Sequence, residues 1–478
     1  MSVSAKRSIF VAAAFFAFVF VLRVSGAAPA FAQAVSPPVE GRVPGIVAGT
    51  VPGPAPAPGT APETPAGSGT VPAQGTIPAV FESGEYQRVR EEVLSLGGVN
   101  RAFGLELYGE IAKEPGNLFF SPLSVSEALV MAYAGALGDT AVAFESALDY
   151  PLEGESLLAL FGHLKLALSR VNDGEKVVLK TGNSLWVDED FQVSADYASS
   201  LDKFLDGAVF PADFQNGEPI ARGLMNDWVG EATEGKMTEL FSSPLDPATR
   251  VILANAAYFK GAWAAAFDPA LTSERPFHLG DGKSQVTVPF MERLGRYGFF
   301  ANEDVSVLEL PYGDGEVSMF VFLPAKTDKA KDLILAGNLD PDLFATLMMG
   351  RVKSETGGFV ETEVRVAIPK FALTWGTESL KEALGALGLS SIFVPGADFE
   401  GIAPEGGLFF SDFVHKANVE VTEEGTVAAA ATGGVVQTTS ISLGPREFVA
   451  DRPFFFAIRE NATKSLLFLG RLSDPSGG

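Results

Sequence analysis

Glu423-Glu424-Gly425-Thr426-Val427-Ala428-Ala429-Ala430-Ala431-Thr432-Gly433-Gly434 is the stretch on which the reading of this chain turns. No charged residue occurs between Glu424 and Arg446, in a sequence where 20% of residues are charged. On composition alone the run is a flexible loop or a short alanine helix. It is also a strand in waiting. Extended, it turns Thr426, Ala428, Ala430 and Thr432 to one side and Val427, Ala429 and Ala431 to the other. All are small or uncharged, so the segment can slide between two existing strands without burying an unpaired charge or forcing bulk into a packed core.

The flanks of this run read as regular structure. Downstream, Phe454 to Ile458 and Leu466 to Leu469 enclose the polar turn Arg459 to Ser465, a hairpin pattern. Upstream, Val251 to Phe259, Val317 to Leu323 after the turn Gly313-Asp314-Gly315, and the alternating Val364, Val366 and Ile368 predict strands. Leu380, Leu384, Leu387 and Leu389 mark an amphipathic helix. Further back, Asn100 is expected to cap a helix carrying Phe103, Leu107 and Ile111, and a second helix is expected at Ser121 with Pro122 in its first turn. The mixture predicts an α+β domain with large, mainly antiparallel sheets.

Three segments differ in composition. Residues 1–32 read as a signal peptide: Lys6 and Arg7, an apolar run from Ile9 to Leu22, then the small-residue site Ala30-Phe31-Ala32. That run is shorter than the roughly 20 residues needed to span a bilayer, and Arg23 closes it. A secreted, periplasmic or extracellular protein is therefore expected. Residues 33–83 are rich in Pro, Ala, Gly and Thr and read as a flexible linker. Residues 84–478 continue without another linker and read as one domain.

The net charge of −24, from 59 acidic and 35 basic residues, argues against nucleic acid or an anionic membrane as partner. With no cysteine there is no disulfide framework and no thiolate site. His163, His278 and His415 are far apart, without metal-ligand spacing. The sequence has no Gly-x-Ser-x-Gly elbow, phosphate loop or dinucleotide fingerprint, so no cofactor is expected and an enzyme is disfavoured. A secreted hydrolase built on a carboxylate pair leaves no fixed motif and stays open as a rival.

Several ordered motifs coincide with the unusual run. Glu423-Glu424-Gly425-Thr426 and its alanines follow His415-Lys416, and Asp451-Arg452-Pro453-Phe454-Phe455-Phe456 with Leu467-Phe468-Leu469-Gly470-Arg471 close the chain. Asn117-Leu118-Phe119-Phe120-Ser121-Pro122-Leu123-Ser124, Asn255-Ala256-Ala257-Tyr258-Phe259-Lys260-Gly261-Ala262-Trp263, Leu310-Pro311-Tyr312 and Ile368-Pro369-Lys370-Phe371 precede them. In these the chain resembles the serpin family, from about Asn100 to Pro475. The resemblance implies a fold of three β-sheets and eight to nine helices, with a reactive-centre loop exposed above a five-stranded sheet.

It also implies a mechanism, the covalent trapping of a serine protease by a cleaved loop that inserts into the main sheet. The hinge would run from Glu424 through Gly425, Thr426, Val427, Ala428, Ala429, Ala430 and Ala431 to Thr432. Ser121, Ser124, Asn255 and His415 would form the polar cluster beneath the sheet opening, with Trp263 where insertion begins. Counting forward from the hinge places the cut bond at Thr439-Ser440; counting back from Pro453 places it near Ser442-Leu443. Neither offers Arg or Lys, so an elastase-like or subtilisin-like target is expected. The implied partner is that protease, bound covalently by a monomer; no Lys/Arg cluster suggests a heparin-type site.

Val427 stands where many family members carry Glu, and Gly433-Gly434 is unusual in an inserting strand. A non-inhibitory serpin acting as chaperone, carrier or protease substrate is thus the alternative. Asn461-Ala462-Thr463 is a glycosylation sequon within the expected closing turn.

Overall fold

A computed structural model describes residues 84–172, 176–280, 283–335, 337–349, 359–425 and 444–477. The first helix begins well before Asn100. α1 spans Gly84–Ile111 because Val89, Val93 and Leu96 extend the core-facing stripe of Phe103 and Leu107 upstream. Asn100 is therefore interior and not a cap: its buried amide donates to Leu466 O at 3.1 Å and accepts from Leu123 N at 3.2 Å. Gly97 lets the helix approach the closing turn, since a Cβ there would lie 2.7 Å from Thr463 O.

β1 (Leu118–Phe120) leads into α2 (Pro122–Tyr133), which starts where the sequence predicts: Ser121 accepts the Ser124 amide at 3.1 Å and Pro122 occupies the first turn. α3 (Gly138–Leu148) and α4 (Gly154–Leu168) follow, then β2 (Val177–Asp188), α5 (Ala195–Leu205), β3 (Ala208–Ala212), α6 (Glu218–Ala232) and β4 (Val251–Gly261). Strands then dominate: β5 (Ser273–His278), β6 (Gln285–Ala301), β7 (Val305–Tyr312) and β8 (Val317–Pro324). α7 (Asp328–Leu335) and α8 (Pro341–Met349) precede β9 (Val360–Pro369) and β10 (Phe371–Ser379). The expected leucine helix is cut short: α9 is only Lys381–Leu384, because Gly388 takes φ 107° and the chain passes through a π turn and a 3-10 turn. β11 (Asp412–Val421), β12 (Arg446–Val449), β13 (Phe454–Glu460) and β14 (Leu466–Leu472) complete the described residues.

Nine α-helices thus surround two hydrogen-bonded networks among the described residues. The first is five-stranded, in the order β10-β11-β4-β2-β3. The second runs β1-β14-β13-β8-β7-β6-β9-β12, with β5 on β6. It holds two groups of strands in one network because β6, 17 residues long, pairs β5 and β9 over most of its length and β7 only at Gly298–Ala301.

Ile252, Ala254 and Val414 on one face of the five-stranded sheet meet Met225 and Val229 of α6. Leu253, Ala257 and Phe413 face the main core. The hairpin β13/β14 lies near one end of the larger network, between β1 and β8, where Phe119 stacks on Phe468 with centroids 4.9 Å apart. Arg471 on β14 donates to Ala112 O, Glu114 O and Gly116 O and so satisfies carbonyls of the turn that follows α1. The sequon asparagine is committed to the fold: Asn461 Nδ2 donates to Gly315 O at 2.8 Å and to Ser318 Oγ at 2.9 Å.

Candidate functional site: the seam between β4 and β11

Strands β4 and β11 pair in parallel, from Ile252 beside Asp412 to Tyr258 beside Asn418. Their outer neighbours, β2 and β10, pair antiparallel. Parallel pairing is the slightly weaker type per residue. A strand that left β11 through a tight turn would run antiparallel to both β4 and β11, replacing one parallel pair by two antiparallel ones.

Such a turn follows β11. Gly425 N donates to Thr422 O at 3.1 Å, and Thr422 N donates to Gly425 O at 2.9 Å. Gly425 takes φ 108° and bridges to Ala262; a Cβ there would lie 2.1 Å from Gly261 O and 2.5 Å from Trp263 N. Only glycine fits this turn unstrained. Trp263 holds the turn at two points: its amide donates to Glu424 O at 3.0 Å and its indole N–H to Thr422 O at 2.9 Å. Its ring stacks on Tyr312 with centroids 4.2 Å apart and planes 11° from parallel.

Glu423 fixes the outer side of the turn, accepting from Thr272 Oγ1 at 2.9 Å and pairing with Lys370 Nζ at 2.8 Å. Desolvation pushes its carboxyl up, but Lys370, the main chain and Thr272 outweigh this and hold it below the usual range.

Beneath the seam runs a buried polar row. Register places His415 of β11 beside Asn255 of β4, and Asn255 beside Asn183 of β2. His415 Nε2 accepts the Ser121 amide at 3.0 Å, so its proton sits on Nδ1 and is donated to Asn255 Oδ1. Asn255 Nδ2 donates to Ser124 Oγ at 2.6 Å, to Ser124 O at 3.0 Å and to Asn183 Oδ1. Asn183 Nδ2 donates to Glu127 Oε2 at 3.2 Å. His415 is fully buried, and burial pushes its pKa down to about 3, which keeps the imidazole neutral. Each side of the seam is thereby fastened to α2, β11 through Ser121 and β4 through Ser124. Parting the strands has to break and remake this network.

The family model described as Serpin (serine protease inhibitor) matches residues 98–475. The chain belongs to the serpin family. Leukocyte elastase inhibitor A of Mus musculus is 34% identical to this serpin over 385 residues, 80% of this chain and 99% of the relative. An uncharacterized serpin-like protein of Thermococcus kodakarensis is 34% identical over 381 residues, covering 79% of this chain and 85% of that one. The crystal structure of mouse protein Z-dependent protease inhibitor matches with a TM-score of 0.70 at 29% identity, covering 82% of this chain and all of that one. Together these support protease inhibition as the general role, not catalysis.

Of the residues singled out in the sequence, Ser121, Ser124, Asn255 and His415 form one hydrogen-bonded cluster, and Trp263 sits at the end of β4 against Glu424 and Gly425. Thr426 to Thr432, with Val427 and the alanines, lie outside the described residues, as do Thr439, Ser440, Ser442 and Leu443. Sequence reasoning missed Asn183, Glu127 and Lys370. The polar run Thr181-Gly182-Asn183-Ser184 in β2, between the apolar Val177 to Leu179 and Leu185 to Val187, was the available signal for Asn183.

Proposed function

We propose that this serpin is a suicide-substrate inhibitor of serine proteases, elastase-like or subtilisin-like, acting as a monomer. The observation that carries this reading is a glycine-hinged turn at the end of β11, directly beside a parallel β4/β11 seam. The protease serine attacks the carbonyl of Thr439, the Thr439–Ser440 amide bond breaks with the proton going to the leaving amine, and an ester joins the two proteins. The freed segment from Thr426 onward enters the seam as a strand and carries the attached protease away before water can hydrolyse the ester. Residues 1–32 direct export and are removed, and residues 33–83 tether the domain.

The test is to incubate the purified chain with pancreatic elastase, a subtilisin and trypsin, and to analyse products by denaturing gel and intact mass. The expected result is an adduct with elastase or subtilisin that survives denaturation, and a released peptide beginning at Ser440. A peptide beginning at Leu443 would move the bond to Ser442-Leu443. Cleavage by all three without adduct, and without a rise in thermal stability, would establish the non-inhibitory alternative. A mature exported chain beginning at Gln33 is the expected mass-spectrometric result for the leader.

A further inference from the structure

A small cavity of about 80 Å3 lies between the segment after β4, β6 and β7. Its apolar walls include Trp263 and Phe267 from that segment, Tyr297 from β6 and Leu310 from β7. They are held in place: Trp263 stacks on Tyr312 and meets Phe267 edge-on, with centroids 6.1 Å apart. Gly295 makes room for the phenol, since a Cβ there would lie 3.1 Å from Tyr297 Oη. The charged residues of the lining are both arginines of β6, Arg293 and Arg296. Arg296 is 63% exposed and pairs through Nε with Glu361 at 3.2 Å. Arg293 Nη1 is buried and has no hydrogen-bond partner among the described residues. The acids nearest in the chain are committed elsewhere, Glu292 to Arg275 and Arg365, and Glu309 to Ser318 and Arg459. A buried donor without an acceptor is a standing cost, greater for a charged group. Packing calls only for the stem, which an unbranched methionine would supply.

We propose that this cavity binds a short-chain carboxylate, of the size of acetate or propionate, with its carboxylate on Arg293 and its alkyl end against Trp263, Phe267 and Leu310. A carboxylate matches the planar fork of a guanidinium and supplies both the missing acceptor and the missing charge. A cavity of about 150 Å3 holds benzene, so this one takes roughly three to five heavy atoms. Burial pushes the Tyr297 phenol above its usual range and Arg293 draws it back, so the guanidinium acts on the hydroxyl that shares the cavity.

Other ligand classes fit less well. A cation would meet two arginines and no acid, and an apolar molecule would leave Arg293 Nη1 dry. A bare inorganic anion would gain nothing from the aromatic walls, and a long-chain acid exceeds the volume. The net charge of −24 repels anions at a distance, so affinity has to come from contact with Arg293 and from the shape of the cavity. The site stands independently of the inhibitory reading above.

The test is calorimetric titration of the full chain with propionate at constant ionic strength, with propionamide as the uncharged analogue and chloride and sulfate as inorganic competitors. One saturable site with a Kd of about 1–10 mM is expected, weakened at least about tenfold for propionamide. Arg293→Met, which keeps the stem and removes the charge, is expected to abolish binding. Ala265→Leu, which narrows the cavity and keeps the charge, is expected to weaken binding at least about tenfold. Circular dichroism reports whether each variant is folded. No saturable heat up to about 50 mM propionate, equal binding of propionamide, or unchanged binding in either folded variant would overturn the site. Displacement of propionate by chloride or sulfate at equal concentration would overturn it too, by marking an adventitious ion only.

Discussion

Replacing Gly425 by Ala should destabilise the intact protein and leave the cleaved protein alone. At φ 108° a side chain costs about 1–3 kcal/mol of backbone strain. The new Cβ would also lie 2.1 Å from Gly261 O and 2.5 Å from Trp263 N, both main-chain atoms that cannot swing aside. The turn has to shift and weaken the Trp263 N to Glu424 O and Thr422–Gly425 hydrogen bonds, worth about 0.5–1.5 kcal/mol each. A net loss of about 2–5 kcal/mol follows. At about 2.1 cal/mol/K per residue the domain has an unfolding entropy of roughly 0.8 kcal/mol/K, so Tm should fall by about 3–6 °C. In an inserted loop Gly425 would belong to an extended strand, where alanine fits without strain. The assay is thermal unfolding by circular dichroism of intact and loop-cleaved protein, wild type and Gly425→Ala, all at one scan rate. An equal drop in both forms, or no drop in the intact form, would refute the reasoning.

Acidification should weaken the fold through His415. Its pKa is about 3 when folded and near 6.5 when unfolded, so the unfolded chain takes up a proton that the folded chain refuses. The stability is whole above pH 6.5 and is lost between 6.5 and 3 at up to about 1.4 kcal/mol per pH unit. Urea unfolding at pH 7.5 and 5.5 should show this difference in the wild type and a flatter response in His415→Gln. Asn255→Ala removes the acceptor for His415 and the donor to Ser124, and should cost about 2–4 kcal/mol in the same urea assay. Lys370→Ala should cost about 1–2 kcal/mol at pH 7, since its pair with Glu423 is only partly buried. Because the folded Glu423 carboxyl lies below its ordinary 4.5, that cost should shrink as pH falls through this value, which the pH series would show.

Elements carried by local pattern were legible in the sequence, while those imposed by distant contacts were not. Ser121-Pro122 states a helix start in two residues, and Phe454 to Leu469 states a hairpin in its spacing. Gly97-Gly98 and Asn100 look like a helix boundary, yet α1 runs through them because the closing turn near Thr463 leaves no room for a Cβ and Leu466 satisfies the asparagine. Gly388 broke the leucine periodicity that Leu387 and Leu389 suggested. At the site, His415 and Asn255 were found through motifs. Asn183 and Glu127 were not, because a glutamate in Ser124-Val125-Ser126-Glu127-Ala128 reads as a solvent-facing charge until β2 is laid across it. Lys370 becomes a partner of Glu423 only once β10 and β11 are side by side.

The place of β13/β14 between β1 and β8 has a consequence for how the protein is made. Phe120 of β1 pairs with Leu469 of β14, and Arg471 holds the turn after α1 by binding Ala112 O and Glu114 O. The two strands that join β1 to β8 are therefore the last of the network to leave the ribosome. At about 5–20 residues per second, roughly 20–70 s separate synthesis of β1 from that of its partner. Through that interval the Phe119 face waits without Phe456 and Phe468 to cover it. Nascent chains halted before Leu466 should be protease-sensitive and chaperone-bound, and the domain should complete only once β14 has emerged, in one late step.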